Sequence, residues 1–192
     1  MRIAVYCGSR PGNDEKYRKA AQEIGAYIGE HGHTLVYGAG ALGTMGDVAG
    51  SVLEHAKEGR ENSVIGVIPQ FMVERGWEKK DLPCMIVTDT MSERKAKMLE
   101  LADLYIALPG GPGTLEEITE AFSLATLGQH GKKCILYSPD GYYRPLLDMY
   151  RQMIGAGFMP EEMLDKLIVA ESVEEIFAQI EAQAEVSGEQ TA

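Results

Sequence analysis

Three features of the sequence predict an α/β fold, a doubly wound parallel sheet of about seven strands with helices on both faces. Short β-rich runs recur along the chain. Most are apolar throughout rather than alternating, the mark of strands buried on both faces. Stretches of roughly 10–20 residues with helical periodicity separate most of them.

The elements follow in order. Residues 2–7 (Arg2-Ile3-Ala4-Val5-Tyr6-Cys7) form an apolar run too short for a signal peptide and suited to a first strand. Over 14–31, Tyr17, Ala21, Ile24 and Ile28 repeat at helical spacing, and Gly32 stands where a C-cap would. A strand over 34–37, a helix over 45–57, and strands over 64–68 and 84–88 come next. The helix over 91–103 opens with Thr90 and Glu93 in capping-box spacing. Then come a strand over 104–108, a helix over 114–128, a strand over 133–137, a helix over 142–156, a strand over 166–170 and a helix over 173–184. No internal repeat or low-complexity linker interrupts them, so residues 1–184 read as one Rossmann-like domain. Residues 185–192 are small and polar and are expected to fray.

The 192 residues carry a formal net charge of −11 and are 45% hydrophobic, which suits a soluble protein with one core. The charge argues against nucleic acid and against an anionic membrane surface, since both need Lys and Arg to meet phosphates. Its distribution is uneven: residues 161–192 hold nine acidic side chains and one basic. There is no run of 18 apolar residues to cross a membrane. Cys7, Cys84 and Cys134 lie far apart in or beside strand-like runs, as buried thiols in a reducing cytoplasm do. His31, His33, His55 and His130 form no metal-ligand pattern. No metal and no cofactor is expected.

A doubly wound sheet binds ligands beyond the carboxyl ends of its strands. Three loops there stand out. Gly8-Ser9-Arg10-Pro11-Gly12 follows the first strand; its glycines allow close approach, and Ser9 and Arg10 can donate. A plain turn explains it as well. Gly38-Ala39-Gly40-Ala41-Leu42-Gly43 follows the second strand and matches G-x-G-x-x-G. A dinucleotide site wants an acid at the end of the next strand. That strand ends in Pro69-Gln70, and Glu58 and Glu61 precede it instead. What is left is a glycine-opened helix start suited to an anion. The third loop, Pro109-Gly110-Gly111-Pro112-Gly113-Thr114-Leu115-Glu116-Glu117, is a tight turn whose N–H groups can hold phosphate. No Gly-Lys-Ser/Thr follows, so it is no Walker loop. Thr114 and Glu117 also fit a capping box, which would leave Glu117 a purely structural role. Arg94 and Lys95 open the helix after Thr90, either as a solvated basic face or as cations facing an anionic substrate.

These pieces, in this order, resemble the Lonely Guy family of cytokinin riboside 5′-monophosphate phosphoribohydrolases, relatives of which have long been labelled lysine decarboxylases. The motif P-G-G-x-G-T-x-x-E is complete from Pro109 to Glu117. M-H-x-R-K appears as Met91-Ser92-Glu93-Arg94-Lys95, and Y-G-G-G-x-x-G-x-M-G as Tyr37 to Gly46. Cys7-Gly8-Ser9, Ile65 to Pro69, and Asp140-Gly141-Tyr142-Tyr143 extend the similarity to about residue 180. The resemblance implies a catalytic pair, Arg94 and Glu117. It implies nucleotide binding by Gly8, Ser9, Gly40, Gly43, Met91, Lys95, Gly110, Gly111, Pro112, Gly113, Thr114, Leu115, Glu116 and Ser123. It also implies a nucleoside 5′-monophosphate substrate and a homodimer.

Elementary chemistry agrees. Cleaving an N-ribosyl bond builds positive charge on the sugar, which a carboxylate stabilises. A guanidinium orients that carboxylate or meets the departing base, but it holds its proton too tightly to be a general acid. Departures from the family pattern cluster around the base: Ser92 for His, Ala39 for Gly, Pro112 for an aromatic residue, Ser123 for Thr, Leu124 for Trp, and Gly76 where a substrate-contacting Glu would stand. Another base preference and a non-catalytic nucleotide sensor are the competing readings. True lysine decarboxylation would need a pyridoxal-binding lysine and its partners, and no such signature is present.

Overall fold

The computed structural model describes residues 1–57 and 62–189, with the side chains of 186–189 left out. Glu58, Glu61 and the last three residues of the expected tail lie outside the described residues. Seven strands form one sheet: β1 (Arg2–Tyr6), β2 (Thr34–Tyr37), β3 (Val64–Pro69), β4 (Cys84–Thr88), β5 (Leu104–Ala107), β6 (Cys134–Tyr137) and β7 (Leu167–Ala170). They pair in the order β4-β3-β2-β1-β5-β6-β7, and every pairing is parallel. The expected doubly wound architecture is therefore present.

The helices are α1 (Glu15–Glu30), α2 (Gly43–His55), a short α3 (Gln70–Val73), α4 (Met91–Leu101), α5 (Pro112–Thr126), α6 (Arg144–Gly155) and α7 (Val173–Glu189). Two apolar layers sandwich the sheet, because strand side chains alternate between faces. Ile3 and Val5 of β1 join Ile24, Val48, Val52, Ile176 and Ile180 under α1, α2 and α7. Ala4 and Tyr6 join Met98, Ile118, Phe122 and Tyr150 under α4, α5 and α6. Each large apolar side chain removed from water there contributes about 1.5–3 kcal/mol.

Several element ends shift by a residue or more, and two features stand out. The last helix runs on to Glu189, because no proline or C-capping glycine stops it at 184. The outermost strand β4 alternates half-buried and exposed residues, because only β3 flanks it. Cys7 and Cys134 are buried, and burial pushes both thiols up to about 12, which leaves them inert; Cys84 is half-buried. Among the described residues, no helix is long and apolar enough to cross a membrane. The strand order reverses at β1 and β5: β2, β3 and β4 extend to one side, β6 and β7 to the other. The crevice at that reversal lies between the loops after β1 and β5.

Candidate active site

The first side chain at the crevice comes from α4. Thr90 caps this helix by accepting from the Glu93 N–H at 3.1 Å, and Glu93 reaches back to the Asp89 N–H at 2.9 Å. This is the expected capping box, with the return bond one residue earlier than the cap. Arg94, one residue on, is buried. Its Nε donates to the Val67 carbonyl at 3.0 Å and its Nη1 to Glu117 Oε1 at 2.7 Å. Its Nη2 lies against Gly38, where any Cβ would collide with the guanidinium. Arg94 is thus part of the interior and not of a solvated basic face.

Helix α5 supplies the partner. It begins at Pro112 with Gly111 as its N-cap, and Thr114 is not the cap. The expected Thr114–Glu117 capping box is therefore absent. Proline suits the first helical position, where its missing N–H costs nothing, so the helix starts two residues early. That frees Glu117 to pair with Arg94. Burial raises the Glu117 pKa, and the Arg94 charge and hydrogen bond pull it back down in part. Among the described residues, Glu117 Oε2 meets no donor.

The same helix start presents a cradle. Among the described residues, the N–H groups of Gly111, Gly113 and Thr114 have no acceptor. A Cβ on Gly111 or Gly113 would meet nothing within 4 Å, and neither has a positive φ. Nothing inside the protein demands glycine at either place. The open space is on the outside, where a ligand would approach the backbone. Thr114 and Glu117 share a helix face, one turn or about 5 Å apart.

The remaining expected residues are placed as follows. Gly8 ties the first loop to α2: its N–H donates to Thr44 Oγ1 at 2.9 Å, and its carbonyl accepts from Thr44 Oγ1 at 3.1 Å and the Met45 N–H at 3.1 Å. Gly43 has φ +66° and packs against the backbone of Ser9 and Arg10, so packing requires glycine there; a Cβ on Gly40 would press on Met45. The start of α2 is thus partly satisfied from within. Ser9 is exposed, and Met91 begins α4. Lys95 pairs with Glu116 at 2.7 Å and Glu120 at 2.9 Å, and these carboxylates raise its pKa. Leu115 is 40% exposed. Ser123 is exposed near the far end of α5, about 15 Å from Gly113 by helical rise, and this chain does not bring it to the cradle. Sequence reasoning missed Gly38 and the Val67 carbonyl as supports of Arg94; nothing local to either marks it as such. Ala39, at a glycine position of the family pattern, has φ +58°.

Fold and site together define a Rossmann-like α/β protein with a buried arginine–glutamate pair at the switch point of its sheet. A family model described as "possible lysine decarboxylase" matches residues 45–180. The cytokinin riboside 5′-monophosphate phosphoribohydrolase LOG of Oryza sativa subsp. japonica is 39% identical over 180 residues, 94% of this chain and 72% of the relative. The cytokinin riboside 5′-monophosphate phosphoribohydrolase of Rhodococcoides fascians is 36% identical over 179 residues, 93% of this chain and 88% of the relative. The chain belongs to this family, the Lonely Guy or lysine-decarboxylase-like proteins. Among solved structures, the structural-genomics target TM1055 superposes with a TM-score of 0.70 at 24% identity, covering 95% of this chain and 99% of that one. The molybdenum cofactor carrier protein of Chlamydomonas reinhardtii gives 0.67 at 23% identity, covering 95% and 96%. Both likenesses concern the fold.

Proposed function

We propose that this protein hydrolyses the N-glycosidic bond of a nucleoside 5′-monophosphate, N6-substituted AMP or AMP itself, to free base and ribose 5-phosphate. The observation that carries the reading is the buried Arg94–Glu117 pair on the same helix face as the open cradle. A 5′-phosphate and the anomeric carbon of one nucleotide are separated by a ribose ring and a methylene, which suits the single helical turn between Thr114 and Glu117. The relatives named above are phosphoribohydrolases by name.

The N–H groups of Gly111, Gly113 and Thr114 hold the phosphate at the helix start. That remote binding energy orients the sugar over Glu117. The bond from C1′ to the base nitrogen breaks with both electrons going to the base, and positive charge grows on the ring oxygen and C1′. Glu117 Oε2 stabilises that charge, and the carboxylate takes a proton from the water whose oxygen adds to C1′. Arg94 holds Glu117 by Nη1 and keeps that carboxylate oriented toward the sugar. The proton on Glu117 passes to solvent or base and resets the site. The residues around the base support the reaction class better than any one base.

A sensor would need the cradle alone. Burying a charged pair carries a desolvation cost, which a binding-only protein has no use for. The test is incubation with AMP, GMP, CMP and N6-isopentenyl-AMP, followed by chromatography of free base. Release from at least one is expected, and Glu117→Gln should lower turnover at least about 100-fold while staying folded, since the amide oxygen still accepts from Arg94. No base from any nucleotide, or unchanged turnover in the variant, contradicts the proposal. The dimer implied by the resemblance is part of the same proposal. Met85 and Val87, 40% and 45% exposed on the outermost strand, support it.

A further inference from the structure

The turn after β6 carries two tyrosines that the reaction above does not use. Asp140 sits at φ +54° and Gly141 at +75°, two successive left-handed residues, one of them not glycine. A strained non-glycine residue persists only where its surroundings hold it. Here Lys16 holds the Asp140 carboxylate at 2.9 Å. Ser138 Oγ accepts from the Tyr143 N–H at 2.9 Å and sets the far side of the turn. The turn delivers two phenol groups to the glycine loop. Tyr143, buried, donates its hydroxyl to the Leu108 carbonyl at 2.7 Å. Tyr142, 41% exposed, donates its hydroxyl to the Gly110 carbonyl at 2.8 Å. Its ring stands edge-on to Tyr17, with centroids 6.0 Å apart.

The Gly110 carbonyl belongs to the same peptide unit as the Gly111 N–H. In a trans peptide those two groups point in opposite directions, and among the described residues no peptide bond is cis. A hydroxyl that fixes the carbonyl on one side therefore fixes the N–H on the other. Glycines on both sides of this unit leave its rotation otherwise free. We propose that Tyr142 is a positioning residue for anion binding: its hydrogen bond to Gly110 turns the Gly111 N–H into the cradle. Tyr143 anchors the loop at its strand end, and Tyr142 aims it. The proposal rests on the phosphate reading of the cradle. It adds a specific support that lies outside the glycine loop itself.

The test compares the full-length protein with Tyr142→Phe, which keeps the ring and its contact with Tyr17 and loses only the hydroxyl. AMP affinity is measured by calorimetry, and the Gly111 amide is followed by 1H–15N NMR as AMP is added. The expected results are an AMP Kd about fivefold higher in the variant, as one lost hydrogen bond gives, and a Gly111 amide shift on AMP addition that is clearly smaller than in the parent. An equal Kd, or an equal Gly111 shift in both proteins, overturns the positioning role. A parent protein that binds no AMP overturns instead the phosphate reading beneath it. Tyr143→Phe separates aiming from anchoring: loss of thermal stability is expected there, whereas Tyr142→Phe should melt within a degree or two of the parent.

Discussion

Arg94 and Glu117 each make the other tolerable in the interior. In the proposed reaction Glu117 must be ionised when the sugar becomes cationic, yet burial favours its neutral form, and Arg94, helped to a lesser degree by Lys95, opposes that. The acid limb of kcat against pH is therefore expected above the ordinary carboxylate value of about 4.3. In Arg94→Met the limb should move to still higher pH, because the cation that does most to lower the Glu117 pKa is gone. Stability follows the same sign. A raised carboxylate pKa favours the fold fully below the unfolded value, and that contribution is lost as pH rises through the folded one. Arg94→Met should thus lose about 3 kcal/mol at pH 7, as a broken buried pair does, and recover part of it near pH 5. Denaturant melts at the two pH values check this. A limb that stays in place would remove Arg94 from the control of Glu117.

Helix α5 begins where a proline permits it, and its first turn is the cradle. Two glycines nearby serve opposite purposes, and alanine tells them apart. Gly113 lies inside the helix with open space where a Cβ would stand. Gly113→Ala should leave the melting temperature unchanged or slightly higher, since alanine favours helix by up to about 1 kcal/mol. It should raise KM for the nucleotide at least about tenfold, because the methyl group fills the ligand's approach. Gly43 has φ +66° and meets the backbone of Ser9 and Arg10. Gly43→Ala should cost roughly 2 kcal/mol or more through strain and overpacking. Thermal melts and initial rates on both variants suffice. A destabilised Gly113→Ala with unchanged KM would mean that the glycine serves the fold and not a ligand.

Across the molecule, the acidity and the site are set apart. Helix α7 carries Glu174, Glu175, Glu181 and Glu185 and covers the sheet face opposite to α4 and α5. A phosphate bound as proposed at the start of α5 would meet backbone N–H groups at close range, and exposed charges beyond about a Debye length are screened. The net charge of −11 is therefore compatible with an anionic substrate. The outer strand β4 leaves Met85 and Val87, which share one face, exposed. Light scattering is expected to give twice the chain mass, and Val87→Lys to shift it toward the monomer. A monomeric parent protein would contradict the dimer.

Strands, helices and their alternation were legible from the chain because each is a local pattern. A continuous apolar run such as Leu104–Leu108 has to be buried on both faces, and the 3.6-residue stripe of 14–31 has to face a core. The sheet's parallel winding follows from that alternation. The motifs marked Arg94 and Glu117 as a pair, but 23 residues separate them along the chain. Only the packing of α4 beside α5 gives them a 2.7 Å contact, with the Val67 carbonyl and Gly38 completing the socket. The capping box read at Thr114–Glu117 was a sound local pattern that lost to Pro112 at the helix start and to a distant arginine. The sequence by itself determined which segments fold and which loops face the crevice, since periodicity and backbone freedom act over a few residues. The tertiary structure alone decided which glycines serve packing and which face open space, because that depends on what the rest of the chain places beside them.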